Sequence, residues 1–156
     1  MARWLALAGV LVVLDQLSKL AVLQWLAPGR VVEVTPFFNF VLVYNPGAAF
    51  SFLAQAPGWQ RGLFIAIALV ASAWIVFLLR RHWRETLFSF ALALILGGAV
   101  GNLIDRVVYG AVVDFLDFHA AGGHWPAFNV ADSAITVGAV LLVWDGFFGR
   151  RPAPGA

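Results

Sequence analysis

Asp114 stands between Val113 and Phe115, and Asp132 follows Phe128-Asn129-Val130-Ala131, so both carboxylates lie in apolar stretches. Two carboxylates held close together cannot easily both ionise, and they tend to share one proton. One can then act as a base on water while the other, protonated, polarises a peptide carbonyl. That is the chemistry of an aspartic peptidase, and it requires the two side chains to converge. Asp132 taken alone has a simpler explanation, since an acid in the first turn of a helix complements the helix terminus. Asp114 has no comparable excuse.

A second polar group precedes them. Asn102, Asp105 and Arg106 sit at i, i+3 and i+4, on one face of a helix. Gly97 and Gly101 form a GxxxG pair, which lets another helix approach closely. Arg106 alone could snorkel to a membrane boundary. Asp15 and Lys19, four residues apart, are accounted for by an intrahelical ion pair. They could also brace neighbouring helices. Other catalysts fit poorly. The chain has no cysteine, no HExxH and no GxSxG. His119 and His124 lie five apart in a glycine-containing loop with no obvious third ligand, so no metal site is expected.

The elements that must position these residues belong to a membrane protein. Hydrophobic residues make up 62% of the 156 residues and charged residues 12%, about half the share of a soluble domain. The mean hydropathy is +0.89. Four apolar stretches, about residues 4–26, 62–79, 86–105 and 130–148, approach the roughly 20 residues that cross a bilayer. The first is too long for a signal-peptide core and is followed by a turn at Ala27-Pro28-Gly29, so it is expected to be retained. Arg3, Arg80, Arg81, Arg84, Arg150 and Arg151 mark one side of the four spans. The positive-inside rule then puts both termini in the cytoplasm and the long connections outside. Residues 31–44 are rich in β-branched and aromatic residues and read as two short strands broken near Pro36. No basic stripe carries exposed aromatics, so nucleic acid is not an expected partner. The chain reads as one membrane domain over residues 1–150, with a disordered tail at 151–156.

With these residues in view, the chain resembles the bacterial lipoprotein signal peptidases (signal peptidase II), an aspartyl peptidase family. The resemblance rests on five motifs in order: Asp15-Gln16-Leu17-Ser18-Lys19, Asn45-Pro46-Gly47-Ala48-Ala49-Phe50, Gly101-Asn102-Leu103-Ile104-Asp105-Arg106, Val113-Asp114-Phe115 and Phe128-Asn129-Val130-Ala131-Asp132-Ser133. It implies a membrane all-α fold of four transmembrane helices with a small extracytoplasmic β-cradle, here at about residues 29–45. It implies that Asp114 and Asp132 are the catalytic dyad. Asn45, Gly47, Ala49, Asn102, Arg106 and Asn129 would orient substrate or brace the dyad. Asp15 and Lys19 would support the site from the first helix, and Asp105 would anchor Arg106. The implied reaction is removal of the signal peptide of a prolipoprotein just before a diacylglyceryl-modified cysteine. The implied setting is the bacterial inner membrane, with membrane lipids as partners, no cofactor, a monomeric enzyme, and globomycin as the inhibitor class.

Two other classes compete with this reading. A small transporter or proton-relay protein would use the same acids but spread them across the bilayer depth. Here Asp105, Asp114 and Asp132 cluster at one boundary and Asp145 lies near the other. A structural subunit without chemistry leaves the polar cluster unexplained.

Overall fold

The computed structural model describes residues 1–47 and 58–148. Its four long helices are α1 (Ala2–Trp25), α2 (Trp59–His82), α3 (Thr86–Val108) and α4 (Val130–Phe148). They contain 24, 24, 23 and 19 residues. At 1.5 Å per residue they run about 28–36 Å, enough for a hydrocarbon layer about 30 Å thick. All four are apolar enough to cross a membrane. Helix α2 extends three residues beyond the apolar stretch at each end. Trp59, Gln60 and Arg61 begin it and Arg80, Arg81 and His82 end it, because helical hydrogen bonding continues into the interface where hydropathy has already fallen.

Helix α3 is the hub, packed against each of the other three. Trp4 and Ala8 of α1, Ile75 and Leu79 of α2, and Leu92, Ala93 and Leu96 of α3 form one buried core. Faces carrying Val10, Leu14, Ile67, Val70, Val140 and Val143 stay exposed, as a lipid solvent allows. Trp4 Nε1 donates to the carbonyl of Trp83 at 2.9 Å, tying the start of α1 to the α2–α3 turn. Those two points mark one end of the bundle.

At the other end lies a four-stranded antiparallel sheet in the order β1 (Val31–Thr35), β2 (Phe38–Asn45), β3 (Val112–Ala120), β4 (Gly123–His124). The break near Pro36 is the β1–β2 turn. The cradle is wider than residues 29–45, because the α3–α4 connection supplies half its strands. Val112–Ala120 reads VVDFLDFHA, a good strand composition, but its partner β2 lies about 70 residues upstream and no local signal announces the pairing. The register of β2 slips between Phe40 and Val43, placing a bulge beside Asp114. Val22 of α1 and Leu26, just after its end, pack with Leu42, Val113 and Phe115 to seat the sheet on the bundle.

Glycines set how closely the helices meet. Gly97 and Gly101 face α1, where an added Cβ would meet Leu11 and the Asp15 carboxylate respectively. Gly98 faces α4: its Cβ would run into the carbonyl oxygen of Ala131 and, at 2.7 Å, Ile135. Backbone cannot yield as a side-chain tip can. Gly98→Val is therefore expected to destabilise the protein by about 1–3 kcal/mol or more. Gly146→Ala, whose Cβ meets nothing within 4 Å, should cost nothing. Thermal unfolding of both variants in detergent checks this, and equal midpoints would contradict it.

Candidate active site

Each aspartate is delivered by the end of a different element. Asp114 is the third residue of β3 and is 1% exposed. Asp132 lies in the first turn of α4. The backbone N–H of Asp132 donates to Asn129 Oδ1 at 2.9 Å, and the backbone N–H of Asn129 donates back to Asp132 Oδ2 at 3.3 Å. This reciprocal cap fixes both residues. Asp132 thus does complement its helix terminus, and the same contact aims it.

Asn129 links the two acids. Its Nδ2 donates to Asp114 Oδ1 at 2.8 Å while its backbone N–H serves Asp132. The same Nδ2 also approaches Val113 O and Asn102 Oδ1, each at 3.2 Å. Asn45 Nδ2 donates to the other Asp114 oxygen at 2.9 Å, and Asn102 Nδ2 donates to Asp132 Oδ1 at 2.8 Å. Three asparagines thus fix the carboxylates from β2, α3 and the start of α4. Burial pushes the Asp114 carboxyl up to about 7; the nearby charge of Asp132 adds to this, and the hydrogen bonds from Asn45 and Asn129 hold it back.

Beneath the dyad lies a buried ion network. Lys19 Nζ is 2.7 Å from Asp15 Oδ2, 2.7 Å from Asp105 Oδ2 and 3.2 Å from Asn102 Oδ1. The other Asp15 oxygen accepts the N–H of Ala131 at 2.9 Å, and Asp105 Oδ2 also accepts the N–H of Val113 at 3.0 Å. Gln16 Nε2 donates to Asp105 Oδ1 at 2.9 Å and reaches Asp15 Oδ2 and the Gly101 carbonyl at 3.2 Å. Asp15 and Lys19 do form the expected i, i+4 pair, within a network spanning α1, α3, β3 and α4.

Asp105 does not anchor Arg106. Its two oxygens are taken by Lys19, Gln16 and Val113. Asp105 and Asp15 both point to the α1–α3 seam, where they meet Lys19 and Gln16, whereas Arg106 turns toward α2. There its guanidinium lies 5.1 Å from the centre of the Phe64 ring, and its Nη1 donates to the Asn102 carbonyl at 3.1 Å. Gly47, at φ +121°, passes so close that a Cβ would strike Phe64. Ala49 lies outside the described residues. Gln16 and Phe64 were missed in the sequence, although Gln16 stands inside the Asp15–Lys19 motif. On the sheet, His119 and His124 stack with ring centres 5.0 Å apart, and His124 Nδ1 contacts Asp117 Oδ1 at 2.9 Å.

Comparison with known proteins follows the same lines. Residues 7–148 match the family described as Signal peptidase (SPase) II. A lipoprotein signal peptidase of Burkholderia thailandensis is 58% identical over 145 residues, covering 93% of this chain and 87% of the relative. One from Burkholderia ambifaria is 60% identical over the same length. A solved bacterial membrane enzyme superposes with a TM-score of 0.84 at 30% identity, covering 96% of both chains.

The raised Asp114 pKa carries a sign for stability. The folded state holds this proton more tightly than the unfolded chain, whose value is near 3.8. Its contribution is therefore complete below about pH 3.8 and is lost as pH rises through about 7. Asp114→Asn, which cannot titrate, should flatten the decline of stability across that window. Unfolding midpoints measured against pH for wild type and variant test this, and parallel curves would contradict it.

Proposed function

The chain belongs to the signal peptidase II family, and from that premise we propose that Asp114 and Asp132 are the catalytic pair with which it cleaves the signal peptides of lipoprotein precursors. The observation that carries this reading is the double use of Asn129, whose amide meets one aspartate and whose backbone N–H meets the other. Asp132, at the helix terminus, is the initial base and takes a proton from water. The resulting hydroxide attacks the scissile carbonyl carbon. Asp114 holds the shared proton in the free enzyme and donates a hydrogen bond to the carbonyl oxygen as negative charge develops there. Collapse of the tetrahedral intermediate breaks the C–N bond, and a dyad proton passes to the departing amine.

An extended peptide in a low-dielectric site needs partners for its own N–H and C=O groups. Arg106 supplies N–H donors for that purpose, since no carboxylate lies within ion-pair distance of it among the described residues. Asn45 and Asn102 hold the dyad, and Gly47 leaves room for Phe64 beneath the guanidinium. The precursor is a prolipoprotein whose cysteine already carries diacylglycerol, with cleavage just before that residue. Its signal helix and lipid anchor bring the scissile bond to the membrane boundary, the depth of the sheet end of the bundle.

Asp114→Asn and Asp132→Asn should each reduce cleavage of a lipidated prolipoprotein in detergent by about 10⁴-fold or more while leaving a folded protein. Substantial turnover by either variant, or zinc-dependent restoration after chelation, would overturn the assignment. We further propose that both termini are cytoplasmic and that the sheet faces outward, on the strength of Arg3, Arg80, Arg81 and Arg84 at the opposite end. A cysteine placed at exposed Val34 should react with an impermeant thiol reagent added outside, and one placed at Glu85 should not. The opposite pattern would invert the topology.

A further inference from the structure

A groove of about 580 Å³ opens between α1 and α2, on the arginine-rich half of the bundle. Gly9 of α1 and Ala73 and Phe77 of α2 wall it, Leu96 and Val100 of α3 form its floor, and Arg80 stands at its end. It is not the catalytic cleft. Val100 lies two residues from Asn102, about 160° away around α3. The groove and the dyad therefore occupy opposite sides of the central helix.

Apart from Arg80 the lining is apolar except for Ser72, whose buried hydroxyl has no hydrogen-bond partner among the described residues, and left empty the groove forfeits dispersion contacts along its length. Its volume falls in the range of small-ligand sites, suited to a hydrocarbon chain and small for a helix about 10 Å across. The charge at its end is specific. Arg3, Arg81 and Arg84 each lie over an aromatic ring, of Trp4, Phe77 and Trp83 respectively. Arg80 makes no such stack and no ion pair among the described residues. A guanidinium at the mouth of an apolar groove at the bilayer boundary matches the phosphate of an anionic phospholipid.

We propose that this groove binds one anionic phospholipid, with an acyl chain lying on α3 between α1 and α2 and its phosphate on Arg80. The site is independent of the aspartate chemistry, and it would bridge two helices that are joined chiefly through α3.

The test uses the full chain in micelles doped with phosphatidylglycerol or with phosphatidylcholine of the same acyl chains, read by native mass spectrometry. Wild type should retain one lipid and prefer phosphatidylglycerol by about five-fold. Arg80→Gln should keep the lipid and lose the preference. Gly9→Phe should lose both lipids, because the Gly9 Cβ position opens onto free space and the ring would fill the groove. Both variants should still cleave prolipoprotein, which shows that they are folded and separates this test from that of the dyad. Undiminished lipid retention by Gly9→Phe would overturn the proposal. So would a headgroup preference unchanged in Arg80→Gln or absent in wild type. A lipid-free dimer that Gly9→Phe converts to monomer would assign the groove to a second copy and overturn it equally.

Discussion

A lysine ammonium sealed inside a membrane bundle, at 1% exposure, is the constraint on which the rest of this structure depends. Stripping water from Lys19, Asp15 and Asp105 costs several kcal/mol per charge, and only close pairing with filled hydrogen-bonding capacity offsets it. Lys19 has three N–H donors and finds three acceptors: two carboxylates and the Asn102 amide oxygen. Each carboxylate also accepts one backbone N–H, beside the Gln16 amide. Asp15 takes the N–H of Ala131, the residue before Asp132, and Asp105 takes the N–H of Val113, the residue before Asp114. One ion cluster therefore sets the position of α4 and of β3, each immediately beside the acid it carries. Removing a single member leaves a buried charge unpaired and also releases one of the two elements, so stability and alignment are coupled.

Close approach is what makes that cluster possible. Gly101 lets the Asp15 carboxylate lie against the α3 backbone, and Gly98 lets the first turn of α4 press against α3 from another side. Any larger residue at either position would hold the helices too far apart for hydrogen bonds of 2.7–3.2 Å to form. The asparagines complete the design on the same scale. An amide donates and accepts without bringing a further charge into the low-dielectric region. Asn102 shows the use of both functions, accepting from Lys19 and donating to Asp132.

Much of this was legible in the sequence, for reasons that can be named. Spans stand out because a bilayer demands long apolar runs, and the acids within them stand out because a bilayer penalises them. The β1–β2 hairpin was legible because its strands are adjacent and its turn contains Pro36. Strand β3 was not, because its pairing with β2 is long-range and Asp114, Asp117 and His119 interrupt the apolar pattern. The resemblance implied that Asp105 anchors Arg106, but Asp105 meets Lys19 and Gln16 instead. Neighbours one residue apart on a helix face about 100° away from each other. Helix α1 presents Lys19 to one of them and α2 presents Phe64 to the other. Spacing on one helix orders its own side chains, and only the packing of the bundle decides which helix each of them meets.

The depth of the acids also separates hydrolysis from proton conduction in physical terms. A relay needs titratable groups at steps along the membrane normal, so that a proton can pass between neighbours. Here Asp15, Asp105, Asp114 and Asp132 are joined in one hydrogen-bonded group around Lys19, Asn102 and Asn129. From that group toward the opposite end of the bundle, α3 presents Leu92, Leu94 and Leu96 to its neighbours, with no acid along that run. A proton brought to the dyad has no onward site at that depth. It can be exchanged with water or with a bound peptide, and this confinement at one boundary suits a pair of carboxylates that must pass a proton between water and an amide.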